Sequence, residues 1–237
     1  MTIPFLPAVI AACALASAAQ EPPPRLLEGP EKADFLRKVE ERMSGVRSLA
    51  VEFEQEKKLR LFKEPVVTRG LLLFAAPDRL RWETRAPFRS ILVVSGNEVG
   101  KYEYLKDERR PLKLGRGADA ILLVMDRIRS WFQGKFDREG KYYEIDAVRE
   151  PRPRLVLRPR DEAIRKRISA MELDLSADLS AVEAVTLVEG EGDRTVMRFK
   201  ELARNRELPP GTFSVSDPRE VRPDEFPAPP PAVPRGD

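Results

Sequence analysis

No histidine occurs anywhere in the 237 residues. That removes the commonest general base, the serine–histidine and cysteine–histidine nucleophile pairs, and the usual zinc sites. Cysteine occurs once, as Cys13 in an apolar N-terminal segment, so the rest of the chain has neither thiol chemistry nor an internal disulfide. An excess of one charge is missing too: 42 Lys and Arg stand interleaved with 39 Asp and Glu, a net of +3. That is a soluble surface weakly inclined towards anionic partners. It is not the concentrated basic stripe nucleic acid requires, so no nucleic-acid partner is expected. Paired carboxylates need neither histidine nor thiol, so a carboxylate hydrolase stays open, with Glu52 or Glu54 facing Glu83 or Glu103. Charged faces of amphipathic strands are ordinarily just solvated.

The apolar run at residues 2–19 is too short to span a bilayer comfortably and carries two prolines near its start. Ala16-Ser17-Ala18 fits the small-x-small cleavage rule, so residues 1–18 read as a secretory signal, although no Lys or Arg precedes the apolar run. Ile10-Ala11-Ala12-Cys13 also resembles a lipobox, in which Cys13 would be acylated; the apolar stretch running on past it favours cleavage without lipidation. Either route takes the chain out of the cytoplasm. Residues 19–30 are a proline-rich linker.

The rest of the chain is organised around residues 70–104. They read as four strands, 70–75, 79–85, 90–94 and 99–104, separated by Ala76-Pro77-Asp78, Ala86-Pro87 and Ser95-Gly96-Asn97. The second alternates, with Leu80, Trp82 and Thr84 on one face and Arg79, Arg81, Glu83 and Arg85 on the other. Strict alternation implies an antiparallel sheet with one covered and one wet face. Before this stretch, Phe35, Val39 and Met43 recur at helical spacing over residues 31–43, and a long strand covers 48–62. After it, residues 106–117 form a charged loop, whose lone Gly115-x-Gly117 carries no weight as a phosphate site. Asp119 caps a second helix running to Phe132, with Ile121, Val124, Met125, Ile128, Trp131 and Phe132 on one face; plain core packing would explain that stripe equally well. Strands return at 142–148, 154–158, 168–175, 181–188 and 195–199, and a short last one at 213–215. Residues 217–237 hold seven prolines and almost no apolar bulk beyond Phe226, and are expected to be a disordered tail.

The set of motifs resembles the periplasmic lipoprotein carriers of the LolA type over about residues 30–216. Phe53-Glu54-Gln55-Glu56-Lys57 has the Phe-x-Gln-x-Lys form of that family's first strand. The run from Gly70 to Phe74, then Pro77, Trp82, Pro87 and Ser90-Ile91-Leu92-Val93-Val94-Ser95-Gly96 come in the family's order. So do Leu157-x-Pro159, the Gly192-Asp193 hairpin and the stretch from Asn205 to Phe213. The resemblance implies an α+β fold: an unclosed, strongly curved antiparallel β-barrel of about 10–11 strands, with helices as a lid over an apolar cavity. Residues 31–216 would be that carrier domain. Each exposed CH₂ costs about 0.8 kcal/mol in water, so a triacylated protein carries a penalty on the order of tens of kcal/mol unless its chains are covered.

The implied partners are acylated lipoproteins, an inner-membrane ABC-type release complex and an outer-membrane receptor, with the carrier a periplasmic monomer that needs no cofactor or metal. Alternation and the resemblance place Phe53, Leu72, Phe74, Leu80, Trp82, Leu92, Val94, Leu157, Met171 and Leu173 around the cavity, with Met125, Ile128 and Trp131 as lid residues. The chain departs from the family at positions 76 and 80, the latter being the aliphatic Leu80 where carriers often have an aromatic. Where family carriers have a lid-fastening arginine before the strand-ending proline, this chain has Ala76, while Arg79 and Arg81 point away from Leu80 and Trp82. The alternative reading on the same fold is an anchored, LolB-like receptor or a lipid-sensing envelope interaction protein, for which the state of Cys13 is decisive.

Overall fold

The computed structural model describes residues 25–60, 62–115, 117–136, 140–189 and 192–226. Residues 1–18, expected to be a secretory signal and including Cys13, and residues 227–237 lie outside these. The strands are β1 (Leu26–Leu27), β2 (Ser48–Lys58), β3 (Val66–Ala75), β4 (Arg79–Ala86), β5 (Ser90–Ser95), β6 (Glu98–Leu105), β7 (Glu108–Pro111), β8 (Tyr143–Val148), β9 (Arg154–Pro159), β10 (Ile168–Leu175), β11 (Val182–Glu189) and β12 (Arg194–Arg204). All pair antiparallel in one open sheet of order β1-β8-β9-β10-β11-β12-β2-β3-β4-β5-β6-β7. The curved sheet does not close, because β1 and β7 remain its two edges.

The register decides which side chains share a face, since residues paired across an antiparallel ladder point the same way. Phe199 pairs with Phe53, Val51 with Leu72, Leu72 with Trp82, and Trp82 with Leu92. One turn higher, Leu49 pairs with Phe74, Phe74 with Leu80, and Leu80 with Val94. These three rows lie on the concave side.

Two helices lie against that side. Helix α1 (Gly29–Met43) buries Phe35, Val39 and Met43, the spacing seen in the sequence. Helix α2 (Gly117–Phe132) ends in a paired backbone cap: the Gly134 N–H donates to the Trp131 carbonyl at 3.1 Å, and the Lys135 N–H to that of Ser130 at 3.0 Å. Gly134 has φ +68°, and a Cβ there would stand 2.8 Å from that of Met43 and 3.0 Å from the Val39 carbonyl oxygen. Glycine therefore allows the end of α2 to abut α1.

Several local expectations need correction. The linker is shorter than expected: Leu26 and Leu27 pair with Val148 and Ala147, and α1 already begins at Gly29. This strand and β7, inside the expected charged loop, bring the count to twelve. Pro111 ends β7 at the sheet edge, where a missing N–H breaks no interior ladder. Helix α2 starts two residues before Asp119, which lies within its first turn rather than capping it. A one-turn helix α3 (Glu162–Arg165), capped by Asp161, joins β9 to β10. Residues 213–215 form no strand.

The largest correction concerns the face expected to be wet. Residues 208–226 cross the convex side as a strap, and residues 217–226, expected in the disordered tail, belong to it. Val221 and Phe226 bury Ala50, Leu71, Leu73 and Ala203, while Phe213 and Val215 pack on Ile91, Val93 and Tyr102. Arginines rivet the strap down. Arg81 donates to the Thr212 carbonyl at 3.1 Å, Arg85 to that of Val221 and Arg109 to that of Pro218, while Arg89 pairs with Glu220 at 2.8 Å. Arg81 is consequently 0% exposed, with two of its nitrogens on the Glu83 carboxylate at 2.6 and 3.1 Å. Burial holds its guanidinium below its ordinary pKa despite that carboxylate.

Candidate functional site: the concave face and its covering helices

All thirteen residues expected around a cavity lie on the concave side or on α2, in three adjoining clusters. Leu157, Met171, Leu173 and Trp131 pack with α1; Phe53, Leu72 and Phe74 pack with Phe132; Leu80, Val94 and Met125 pack with Leu92. Trp82 adjoins the second and third clusters, and Ile128 touches all three, so one α2 side chain sits at their junction. The Phe53 and Trp82 rings meet at 5.0 Å with a 50° tilt, and Phe132 meets Phe199 edge-on at 5.8 Å. Sequence reasoning missed Leu49, Val51 and Phe199 as concave-face residues, and it placed Phe132 on the apolar face of α2 without assigning it to the cavity. The alternation through Leu49, Val51 and Phe53 could have identified the first two; Phe199 needed the β2–β12 register.

The thirteen pack on one another and on their neighbours in these clusters. Of three cavities described, only Phe53 of that set borders one. The cavity that reaches inward lies to one side, about 440 Å³ between β11, β12, β2 and the end of α2, with Val51, Val182, Phe132 and Phe199 in its wall. A buried polar group is left over: the indole N–H of Trp131, a residue 8% exposed, has no hydrogen-bond partner. Such an orphan donor is disfavoured by about 1–3 kcal/mol.

Glu54 pairs with Arg69 at 2.8 Å, Glu52 with Lys200 at 3.5 Å, Glu103 with Lys101 at 3.5 Å and Glu83 with Arg81 and Arg85, so each carboxylate weighed for hydrolysis has a cation beside it. Among the described residues no group of His, Cys, Asp and Glu is arranged to hold a metal ion, and no helix is long and apolar enough to cross a membrane.

A sequence profile of the family described as outer membrane lipoprotein carrier protein LolA matches residues 44–216. The chain belongs to the LolA family. It is 25% identical over 177 residues to an outer-membrane lipoprotein carrier protein of Dechloromonas aromatica (strain RCB), covering 74% of this chain and 80% of that one. Among solved structures it is similar to the LolA superfamily protein NE2245 of Nitrosomonas europaea, with TM-score 0.39, 11% identity, and 77% and 97% of the two chains covered. It is also similar to the lipoprotein LppX of Mycobacterium tuberculosis, at 0.41, 10%, 74% and 96%, and to the Pseudomonas aeruginosa MucA/MucB complex, at 0.44, 15%, 77% and 60%.

This LolA-family chain has Ala76 at the position expected to carry a lid-fastening arginine. A guanidinium reaches the same strand end from the other partner: Arg129, on α2, donates to the Asp78 carbonyl at 2.8 Å and pairs with Asp126 at 3.0 Å.

Proposed function

We propose that this protein is a periplasmic carrier that covers the acyl chains of lipoproteins between the concave face and the α1–α2 pair. It would receive them from an inner-membrane ABC-type release complex and pass them to an outer-membrane receptor. The observation that carries this reading is the continuous apolar concave surface under α2, with Ile128 at the junction of its three clusters, in a LolA-family chain. In the closed form the face is covered by the protein's own side chains, so cargo is taken up as α2 is displaced. The thirteen concave-face and α2 residues are then the acyl contacts. Nothing in this task calls for a catalytic group.

The test is recovery of the protein from the periplasm, followed by mass spectrometry of what it holds. Acylated proteins are expected in the bound fraction, and I128A, which only trims the junction, should lower their recovery while leaving the protein folded. A chain that comes out empty and does not bind a synthetic triacylated peptide would overturn the carrier. Palmitate labelling that depends on Cys13 would move the reading to an anchored receptor.

A further inference from the structure

The β11–β12 ladder stops early. It runs from Val188↔Arg194 to Ala184↔Arg198, yet β12 continues to Arg204 with β2 alone as its partner, and β11 begins at Val182 paired only with β10. Both strands are irregular here, with register shifts between Glu201 and Ala203 and between Asp174 and Leu175. The sheet is therefore split between Val182–Glu183 and the last turn of β12, and the cavity of about 440 Å³ occupies that split.

Its lining has two chemistries. Val51, Val182, Phe132 and Phe199 belong to the apolar clusters of the concave side. Arg198, Glu183, Glu201 and Arg204 form a rim carrying both signs of charge. A latch crosses the gap. The Arg204 Nη1 donates to the Ser180 carbonyl at 2.8 Å, while its Nε and Nη2 hold Glu201 at 2.9 and 2.5 Å. The far side of the latch is a stiff turn, in which the Asp178 carboxylate accepts from the Ser176 and Ser180 hydroxyls at 2.7 and 2.8 Å.

We infer that this split is the passage for one alkyl chain of an amphiphile whose polar head stays at the charged rim, with Arg204 as its latch. The inference rests on the carrier reading and adds a route to it. An apolar wall continuous with the interior suits a hydrocarbon tail, and a rim with charges of both signs suits an ester, amide or peptide head. The volume lies in the range of small-ligand pockets.

The test uses the full chain and a tripalmitoylated cysteinyl peptide with a fluorescent reporter on one acyl chain. Ala184, at the end of the ladder, is replaced by Trp to plug the split, and Arg204 by Ala to release the latch. A184W should slow uptake roughly tenfold and R204A should speed it severalfold, because the variants change the approach and not the final contacts. A photoreactive benzoylphenylalanine substituted for Ala184 should cross-link to the acyl chain, whereas one substituted for Leu105, at the opposite end of the sheet, should not. Uptake at the parent rate by both variants, with no cross-link at position 184, would overturn the passage and leave the carrier standing. Failure of the parent chain to bind the peptide at all would overturn both.

Discussion

Replacing Glu83 by alanine would strip Arg81 of its counter-ion in the most enclosed part of the convex wall. The Arg81 side chain is 0% exposed and that of Glu83 5%, and Glu83 also accepts from Arg85 at 3.0 Å. A buried ion pair adds little by itself, but removing one partner leaves an uncompensated charge, at about 3–5 kcal/mol. Arg81→Met is expected to be milder, about 1–3 kcal/mol, because Glu83 retains Arg85 and only the charged hydrogen bonds are lost. The double variant R81M/E83L removes the pair and should lie within about 1 kcal/mol of the parent or above it. Urea unfolding followed by Trp82 and Trp131 fluorescence separates these outcomes. With m near 2–3 kcal/mol/M, the E83A midpoint should fall by about 1–2.5 M, and the double variant should recover nearly all of it. An E83A shift below about 0.5 M, or a double variant as weak as E83A, would refute the claim that strap and wall enclose a dry charge pair.

Gly70→Ala should lower the unfolding midpoint by an amount worth about 1–3 kcal/mol or more, since the new Cβ meets the Glu83 carbonyl oxygen and stands 2.8 Å from the Phe53 ring; an unchanged midpoint would count against this packing. Truncation after Ser216 removes Val221 and Phe226 from Leu71 and Leu73, about 3–6 kcal/mol, and should be visible as binding of an apolar dye. Arg129→Ala removes the bond from α2 to the Asp78 carbonyl, so amide exchange in α2 should speed up roughly 10- to 150-fold with little change in β10. Acid should loosen the strap. The Arg89 hydrogen bond holds the Glu220 carboxyl below its ordinary pKa. Burial pushes Glu225 upward, but bonds from the Arg222 N–H and Arg219 outweigh it and leave its pKa lowered too. Groups lowered in the folded state stabilise it above their unfolded pKa and stop doing so as pH falls through the folded one. Protease protection of residues 217–226 should therefore hold from about pH 7 to 5 and fall below about pH 4.

The concave face was legible because its signals are local. Leu80, Trp82 and Thr84 alternate between proline-marked turns, and the period of two assigns them one side whatever the rest of the chain does. Alternation also put Arg81 and Glu83 on the other side correctly, but it says only that a face differs, not that it is wet. What covers them is a segment more than a hundred positions later, whose proline content reads as disorder. Its order comes from Tyr102, Arg85 and Arg109, which supply hydrogen bonds the segment cannot make internally. The β11–β12 split was illegible for a related reason: each strand looks regular alone, and only the ladder between them shows where pairing ends.

The glycine after α2 has one more implication. With no side chain to hold them apart, the two helices meet backbone to side-chain root at Val39 and Met43, so they behave as a single hinged plate. Whatever tilts one must tilt its neighbour, and because α1 comes directly after the two-residue edge strand at Leu26–Leu27, the tilt is felt at the free margin of the sheet. A bulkier residue at position 134 would pry the plate apart and uncouple that margin from the helix carrying Arg129.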